Sequence, residues 1–111
     1  MRRGKRGKYG NLKVILPDGT KFDSGLEFKV WQQLAAMQKL DIIEGLERQV
    51  PYRITINGQW VCTYYADFVY TLKETGETCV VDAKGVRTAV YRLKKKLMKI
   101  VLGIEIQEVR A

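Results

Sequence analysis

Two aspartates and one lysine are the residues of this chain best placed to do chemistry together. Asp67 stands in YADFVY, and Asp82 and Lys84 stand in VVDAKG. Both runs are rich in β-branched and aromatic residues and read as strands. Side-chain alternation then puts Tyr65, Asp67 and Val69 on one face of the first strand, and Val80, Asp82 and Lys84 on one face of the second. A two-residue turn at Glu74-Thr75 sets Asp67 opposite Asp82, and a turn one residue later sets it opposite Lys84. Either register keeps all three on one face, within roughly 5–8 Å of one another. Two carboxylates at that range among Val, Phe, Tyr and Ala repel each other and raise each other's pKa. Mg²⁺ relieves such repulsion, because hard divalent ions take carboxylate and carbonyl oxygens. Lys84 adds a cation that can orient a water or offset charge on a phosphate.

Each of these groups also has a plainer role open to it. Asp82 and Lys84 fit a surface ion pair worth ~0–1 kcal/mol. Asn57-Gly58 is a hairpin signal that sets Arg48 across from Asp67, a structural partner for it. Ser24-x-x-Glu27 fits a capping box, in which Glu27 returns to the first amide of a helix.

Composition removes the competing chemistries. The chain has 111 residues, 20 Lys and Arg against 12 Asp and Glu, no His, two Cys and a net charge of +8. Without His there is no Ser-His-Asp or Cys-His nucleophile and no His-based zinc site. Cys62 and Cys79 are too few for a thiolate cluster or a disulfide framework, and they stand roughly 27 Å apart along the strands. No apolar run approaches the ~20 residues needed to span a bilayer, so no membrane partner is expected. The basic start MRRGKRGKYG precedes no apolar stretch and is not a signal peptide. A soluble, intracellular protein is expected.

The charge is blocked. Arg2, Arg3, Lys5, Arg6, Lys8 and Lys13 precede the first acid, and Arg87, Arg92, Lys94, Lys95, Lys96 and Lys99 fill an acid-free stretch between Asp82 and Glu105. Two such blocks meet a polyanion first, and nucleic acid is the commonest one inside cells.

The elements that must position these groups follow from turn and cap signals. Residues 1–10 read as a basic flexible arm and 11–111 as a single domain. Asn11 to Leu16 is a short strand before a turn at Pro17-Asp18-Gly19. Asp23 or Ser24 caps a helix to about Leu40, with Leu26, Val30, Leu34 and Met37 at helical spacing. Strands are expected over 47–56, 60–72 and 78–84, with turns at Asn57-Gly58 and Glu74-Thr75-Gly76. A second helix runs from about Thr88 to Leu102. Val90, Leu93, Leu97, Ile100 and Val101 form its expected buried stripe. Gly103 stops it, and 104–109 is a last strand. Tyr64, Ala66, Phe68 and Tyr70 read as core, and Trp31 and Trp60 as packing residues.

This arrangement resembles the PD-(D/E)XK nuclease superfamily. YADFVY supplies the first acid, VVDAKG the Asp-x-Lys element, and FDSGLEF an acid, Glu27, where many members carry a Glu. Ala66 stands where the motif has Pro. The element order is similar to that superfamily's restriction-endonuclease-like α-β-β-β-α-β core over most of residues 20–109. More narrowly, FDSGLEF, LERQVPY, YADFVY and DAKGVRT followed by YRLKKKL resemble a small phage-encoded family of unknown function.

The resemblance implies an α/β (α+β) fold with a central mixed sheet flanked by helices. It implies Mg²⁺-dependent phosphodiester hydrolysis, with Mn²⁺ as a substitute. Asp67, Asp82 and the Ala83 carbonyl would be metal ligands, Glu27 would complete the shell, and Lys84 would position the attacking water or stabilise the transition state. Tyr91 and Lys94 would touch phosphates. Beside them Arg92, Lys95, Lys96 and Lys99 form one helical ridge, with Arg87 flanking it.

The expected activity is that of a small endodeoxyribonuclease acting on branched or duplex DNA of Holliday-junction type. It would work as a homodimer in the cytoplasm of a phage-infected bacterium, with a phage or host recombination protein as a further partner. The alternatives are a nicking or restriction-type nuclease, and a non-catalytic basic protein that binds DNA or RNA.

Overall fold

The computed structural model describes residues 13–110, in the order β1 (Val14–Ile15), β2 (Lys21–Phe22), α1 (Gly25–Lys39), β3 (Ile43–Ile56), β4 (Gln59–Leu72), β5 (Thr78–Ala83), α2 (Ala89–Leu102) and β6 (Ile106–Val109). The arm expected over residues 1–10, with Arg2, Arg3, Lys5 and Arg6, lies outside the described residues. The larger sheet runs β3-β4-β5-β6, antiparallel except for the parallel β5–β6 pair, which α2 connects. Two helices therefore flank a mixed four-stranded sheet in the α-β-β-β-α-β order that the sequence implies. A small β1–β2 hairpin precedes it, and its second strand has no signal in the sequence. Among the described residues no helix is long and apolar enough to cross a membrane.

Local chemistry explains the ends of the elements. Ser24 caps α1, its Oγ accepting from the Glu27 amide at 3.1 Å, and Thr88 caps α2 by accepting from the Tyr91 amide at 3.1 Å. Gly103, with φ of 71°, takes the left-handed turn that ends α2, and the amides of Gly103 and Ile104 donate back to Lys99 and Met98. Asn57 and Gly58, at φ of 51° and 78°, make the tight turn between β3 and β4.

Two apolar clusters hold the helices to opposite faces of the sheet. Leu26, Val30 and Leu34 of α1 pack on Ile43, Phe68, Tyr70, Cys79 and Val81. Tyr91 and Met98 of α2 pack on Ile54, Tyr64, Ala66, Val80 and Ile106. Ala66 and Phe68, two residues apart, fall in different clusters, so β4 changes the face it gives to each helix at Asp67.

The orientation of α2 corrects the expected stripe in part: Leu97 and Val101 pack against the core as expected, and the other three do not. Val90, Leu93 and Ile100 are 63%, 58% and 71% exposed, whereas Tyr91 and Met98 are buried. The helix turns its amphipathic groups inward instead. The Tyr91 hydroxyl reaches Glu108 at 2.8 Å and the Lys94 ammonium reaches the Thr63 carbonyl at 3.0 Å, so ring and stem are buried while both polar ends are satisfied.

Candidate active site

The β4–β5 register decides where the acids meet. Phe68 pairs with Val81 and Thr71 with Thr78, and the same count sets Asp67 opposite Asp82, the first of the two registers open to the sequence. The turn that fixes it closes when the Gly76 amide donates to the Leu72 carbonyl at 2.8 Å, with Gly76 at φ of 76°. Asp67 Oδ2 accepts from the Ala83 amide at 2.9 Å, which ties the first acid to the end of the strand carrying the second.

Asp82 is 1% exposed. Its Oδ2 accepts a short hydrogen bond from the Tyr64 hydroxyl and lies 3.6 Å from the Lys84 ammonium. Its Oδ1 is buried without a hydrogen-bond partner. Burial first, then the close approach and charge of the Asp67 carboxylate, push the Asp82 carboxyl up to about 7, against the Tyr64 hydroxyl and Lys84. The same burial and the same acceptor, Asp82, hold the Tyr64 hydroxyl well above the usual phenol range. Lys84 also sits 4.2 Å from the centre of the Tyr91 ring, a cation–π contact that fixes the ammonium beside Asp82.

Glu27 joins this pair through a side chain that sequence reasoning missed. The Gln49 amide donates to Glu27 Oε2 and to Asp67 Oδ1, each at 3.1 Å. Gln49 falls opposite Asp67 because the β3–β4 register shifts by one residue between Ile54 and Thr55. Counting straight from Asn57-Gly58 puts Arg48 there, and the bulge overturns that pairing. Arg48 lies instead 3.7 Å from Glu27, donates to the Lys21 carbonyl at 2.7 Å and covers the Phe22 ring at 4.0 Å. Gln49 itself has φ of 50°, a left-handed kink that aims its amide at both acids.

Glu27, 3% exposed, also caps. Its Oε1 accepts from the Asp23 amide at 3.1 Å, one residue before the amide a capping box uses. Burial first, then the charge of Asp67, raises the pKa of Glu27. An open cleft of about 220 Å³ lined by Lys21, Asp23, Glu27, Arg48 and Gln49 leads to this end of the site.

The donor set suits a hard divalent ion in part. Asp67 and Asp82 are adjacent carboxylates, one oxygen of Asp82 lacks a partner, and the repulsion between them is what a cation would remove. Among the described residues no three carboxylate, thiol or imidazole groups converge as a ready metal cage. Glu27 stands one amide away, so any share it has in holding a metal passes through Gln49 or a water.

The basic residues of α2 divide. Tyr91 is buried, with its hydroxyl on Glu108, and is not presented to a ligand. Lys95 (2.9 Å) and Arg87 (3.5 Å) pair with Glu108, and Lys99 pairs with Glu105 at 3.3 Å. Arg92 and Lys96 have no acidic partner among the described residues. They line a groove of about 480 Å³ between α2 and β6, with Arg87, Lys95 and Lys99.

Glu108 is the anchor of that wall, also unseen in the sequence. Against its burial, hydrogen bonds from Lys95, Tyr91 and Arg110 hold its carboxyl down at about 2. A carboxyl depressed on folding stabilises above its unfolded pKa and loses that contribution as pH falls through the folded value. Glu108→Gln should therefore cost about 1 kcal/mol at pH 7, since water around the exposed Arg87 and Arg110 screens part of the attraction. In urea unfolding the gap to wild type should close as pH falls from about 4.5 towards 2. A gap that does not change with pH would show that these bonds do not stabilise the fold through charge.

The chain belongs to a family described as proteins of unknown function (DUF1064), whose model matches residues 6–108. No curated protein and no solved structure matches it significantly.

Proposed function

We propose that this member of the DUF1064 family is a Mg²⁺-dependent endodeoxyribonuclease of PD-(D/E)XK type. One observation carries the reading: a buried aspartate, Asp82, set opposite the half-buried Asp67 and beside a fixed lysine, with one Asp82 oxygen left unpartnered. Asp67, Asp82 and the Ala83 carbonyl would hold the ion, and Glu27 would act on it through Gln49 or a water. Bound there, Mg²⁺ supplies Lewis acidity, lowering the pKa of a water and neutralising charge on a phosphate. Lys84, held over Tyr91, orients the attacking water or stabilises charge gathering on the scissile group. The Ala83 amide and Gln49 fix the rotamer of Asp67. Arg92 and Lys96 of the α2–β6 groove position the phosphate backbone without reading sequence.

Among the described residues no zinc finger or helix-turn-helix unit offers itself to base edges, and shape rather than sequence is then the feature read, as in a branched recombination or replication intermediate. Cutting two strands from one site per chain calls for a homodimer.

A second reading, a non-catalytic nucleic-acid-binding protein, draws on the Lys84–Asp82 ion pair and on the lack, among the described residues, of a third direct carboxylate. Mg²⁺ separates the two. A ligand that binds only the folded state adds RT ln(1 + [L]/Kd), about 2.7 kcal/mol at 100 times Kd. Millimolar Mg²⁺ should raise the melting temperature of the wild type, and Asp67→Asn should lose that rise. No shift, together with no cleavage of any nucleic acid under Mg²⁺ or Mn²⁺, would favour the second reading.

A further inference from the structure

Between Glu47 and Asp67 the chain holds no acid, while it holds two arginines, three tyrosines and a tryptophan. This stretch is the part of the β3–β4 hairpin that reaches past β5, whose ladder with β4 covers only Phe68 to Thr71. One face of this arm is covered by α2, which buries Ile54 and Tyr64. The other face carries Pro51, Arg53, Trp60, Thr63 and Tyr65, as the pairs Pro51–Tyr65, Arg53–Thr63 and Thr55–Trp60 require. On it Trp60 and Tyr65 are 56% and 58% exposed, so Trp60 is not the packing residue that the sequence suggests.

The exposed indole is nevertheless held in place. Its Nε1 donates to Thr63 Oγ1 at 3.0 Å, and the Arg53 guanidinium lies 5.7 Å from the ring centroid. A fixed, flat, uncovered aromatic edged by a cation gives a folded monomer little and gives a base a surface to stack on. Tyr65 stands two residues, about 7 Å, from Asp67 along β4.

We propose that this face is a stacking platform for an unpaired nucleic acid strand, leading that strand to the Asp67 edge of the site, where β4 changes face; the direction of the strand rests on the nuclease reading above. Trp60 and Tyr65 each take the face of one base, and Arg53 meets the backbone or adds a cation–π contact. The bases of a closed duplex are stacked on each other and offer no such face, so the platform selects single-stranded segments such as those at a branch. Stacking tolerates any base, in keeping with phosphate contacts that position without reading sequence. The absence of acid on the arm favours this occupant over a basic protein surface.

The test uses full-length Asp82→Asn in EDTA, so that binding is read without cleavage. Fluorescence anisotropy would compare an oligothymidylate with a blunt duplex of the same length, for Asp82→Asn alone and with Trp60→Ala, Tyr65→Ala or both. Each ring lost should weaken single-strand binding about tenfold and leave duplex binding within about twofold. Tryptophan emission should be quenched by the single strand, and Trp60→Phe should remove that quenching. Circular dichroism and melting curves, expected to be unchanged at these exposed positions, guard against misfolding.

Equal losses on both ligands, or no loss on the single strand, would overturn the platform. So would variants that alter only the self-association seen by sedimentation, which would assign the face to a second copy of the chain. A platform that binds while wild type cleaves nothing under Mg²⁺ would sink the nuclease reading alone. Cleavage of branched and duplex DNA that Trp60→Ala/Tyr65→Ala leaves intact, with single-strand binding also unchanged, would sink the platform alone.

Discussion

Asp82→Asn is expected to abolish cleavage, by about 10³-fold or more, and at the same time to make the metal-free protein more stable. The rate loss follows from withdrawing several kcal/mol of transition-state stabilisation that a carboxylate-held metal supplies. The stability gain follows from burial. Asp82 is 1% exposed, and its surroundings, above all the loss of water, push its carboxyl up to about 7. Between an unfolded pKa near 4 and that value the folded chain holds a proton that the unfolded chain has lost, so stability falls as pH rises through the window. The wild type should therefore melt several degrees higher at pH 5 than at pH 8 without metal. The asparagine variant should lose most of that slope, because its amide still accepts from Tyr64 and carries no charge to desolvate. A variant that melts several degrees lower with activity retained would mean that Asp82 serves as the partner of Lys84 and nothing more.

Glu27 should give the largest loss of stability, and the choice of substitution should separate its two roles. Glu27→Ala removes the acceptor of the Asp23 amide, one partner of Gln49 and the carboxylate 3.7 Å from Arg48. A lost cap costs about 1 kcal/mol, and the half-buried Arg48, which keeps the Lys21 carbonyl and the Phe22 ring, adds about 1 kcal/mol when its counter-charge goes. Glu27→Gln keeps an oxygen for the Asp23 amide and loses the charge. The glutamine variant should melt close to wild type, since removing the charge also removes repulsion with Asp67. Its cleavage rate should fall about 10–100-fold, as when an outer partner of a metal site is changed. A melting loss confined to the alanine variant, with normal cleavage in both, would leave Glu27 as a helix cap.

The elements were largely legible because their ends are written in local chemistry. Asn57-Gly58, Ser24, Thr88 and Gly103 each dictate a turn or a cap that needs no tertiary partner. The Asp67–Asp82 pairing was legible as one of two registers, separated by a single residue of turn length. Gln49 was not, because the register shift near Val61 moves every β3 partner by one place, and an irregularity in a run of alternating residues leaves no mark in composition. The facing of α2 was hidden for a different reason. Of the expected stripe Val90, Leu93, Leu97, Ile100 and Val101, only Leu97 and Val101 pack against the core, and Tyr91 and Met98 take the central places, because Tyr91 and Lys94 can turn inward once their tips find Glu108 and Thr63. The same hydrogen bonds take Tyr91 and Lys95 out of the free basic surface, an outcome that depends on Glu108, far off in sequence.

The central claim is that Asp67, Asp82 and Lys84 form a metal-dependent phosphodiesterase site. The most direct measurement incubates wild type and Lys84→Ala with labelled four-way junction, duplex, single-stranded DNA and RNA, in Mg²⁺ or in EDTA, under single-turnover conditions. Wild type should cleave DNA in Mg²⁺, fastest on the junction, and cleave nothing in EDTA. Lys84→Ala should lose about 10²-fold or more in rate with binding retained. Cleavage that persists in EDTA or is unchanged in Lys84→Ala, or no cleavage of any substrate by wild type in Mg²⁺, would contradict that claim.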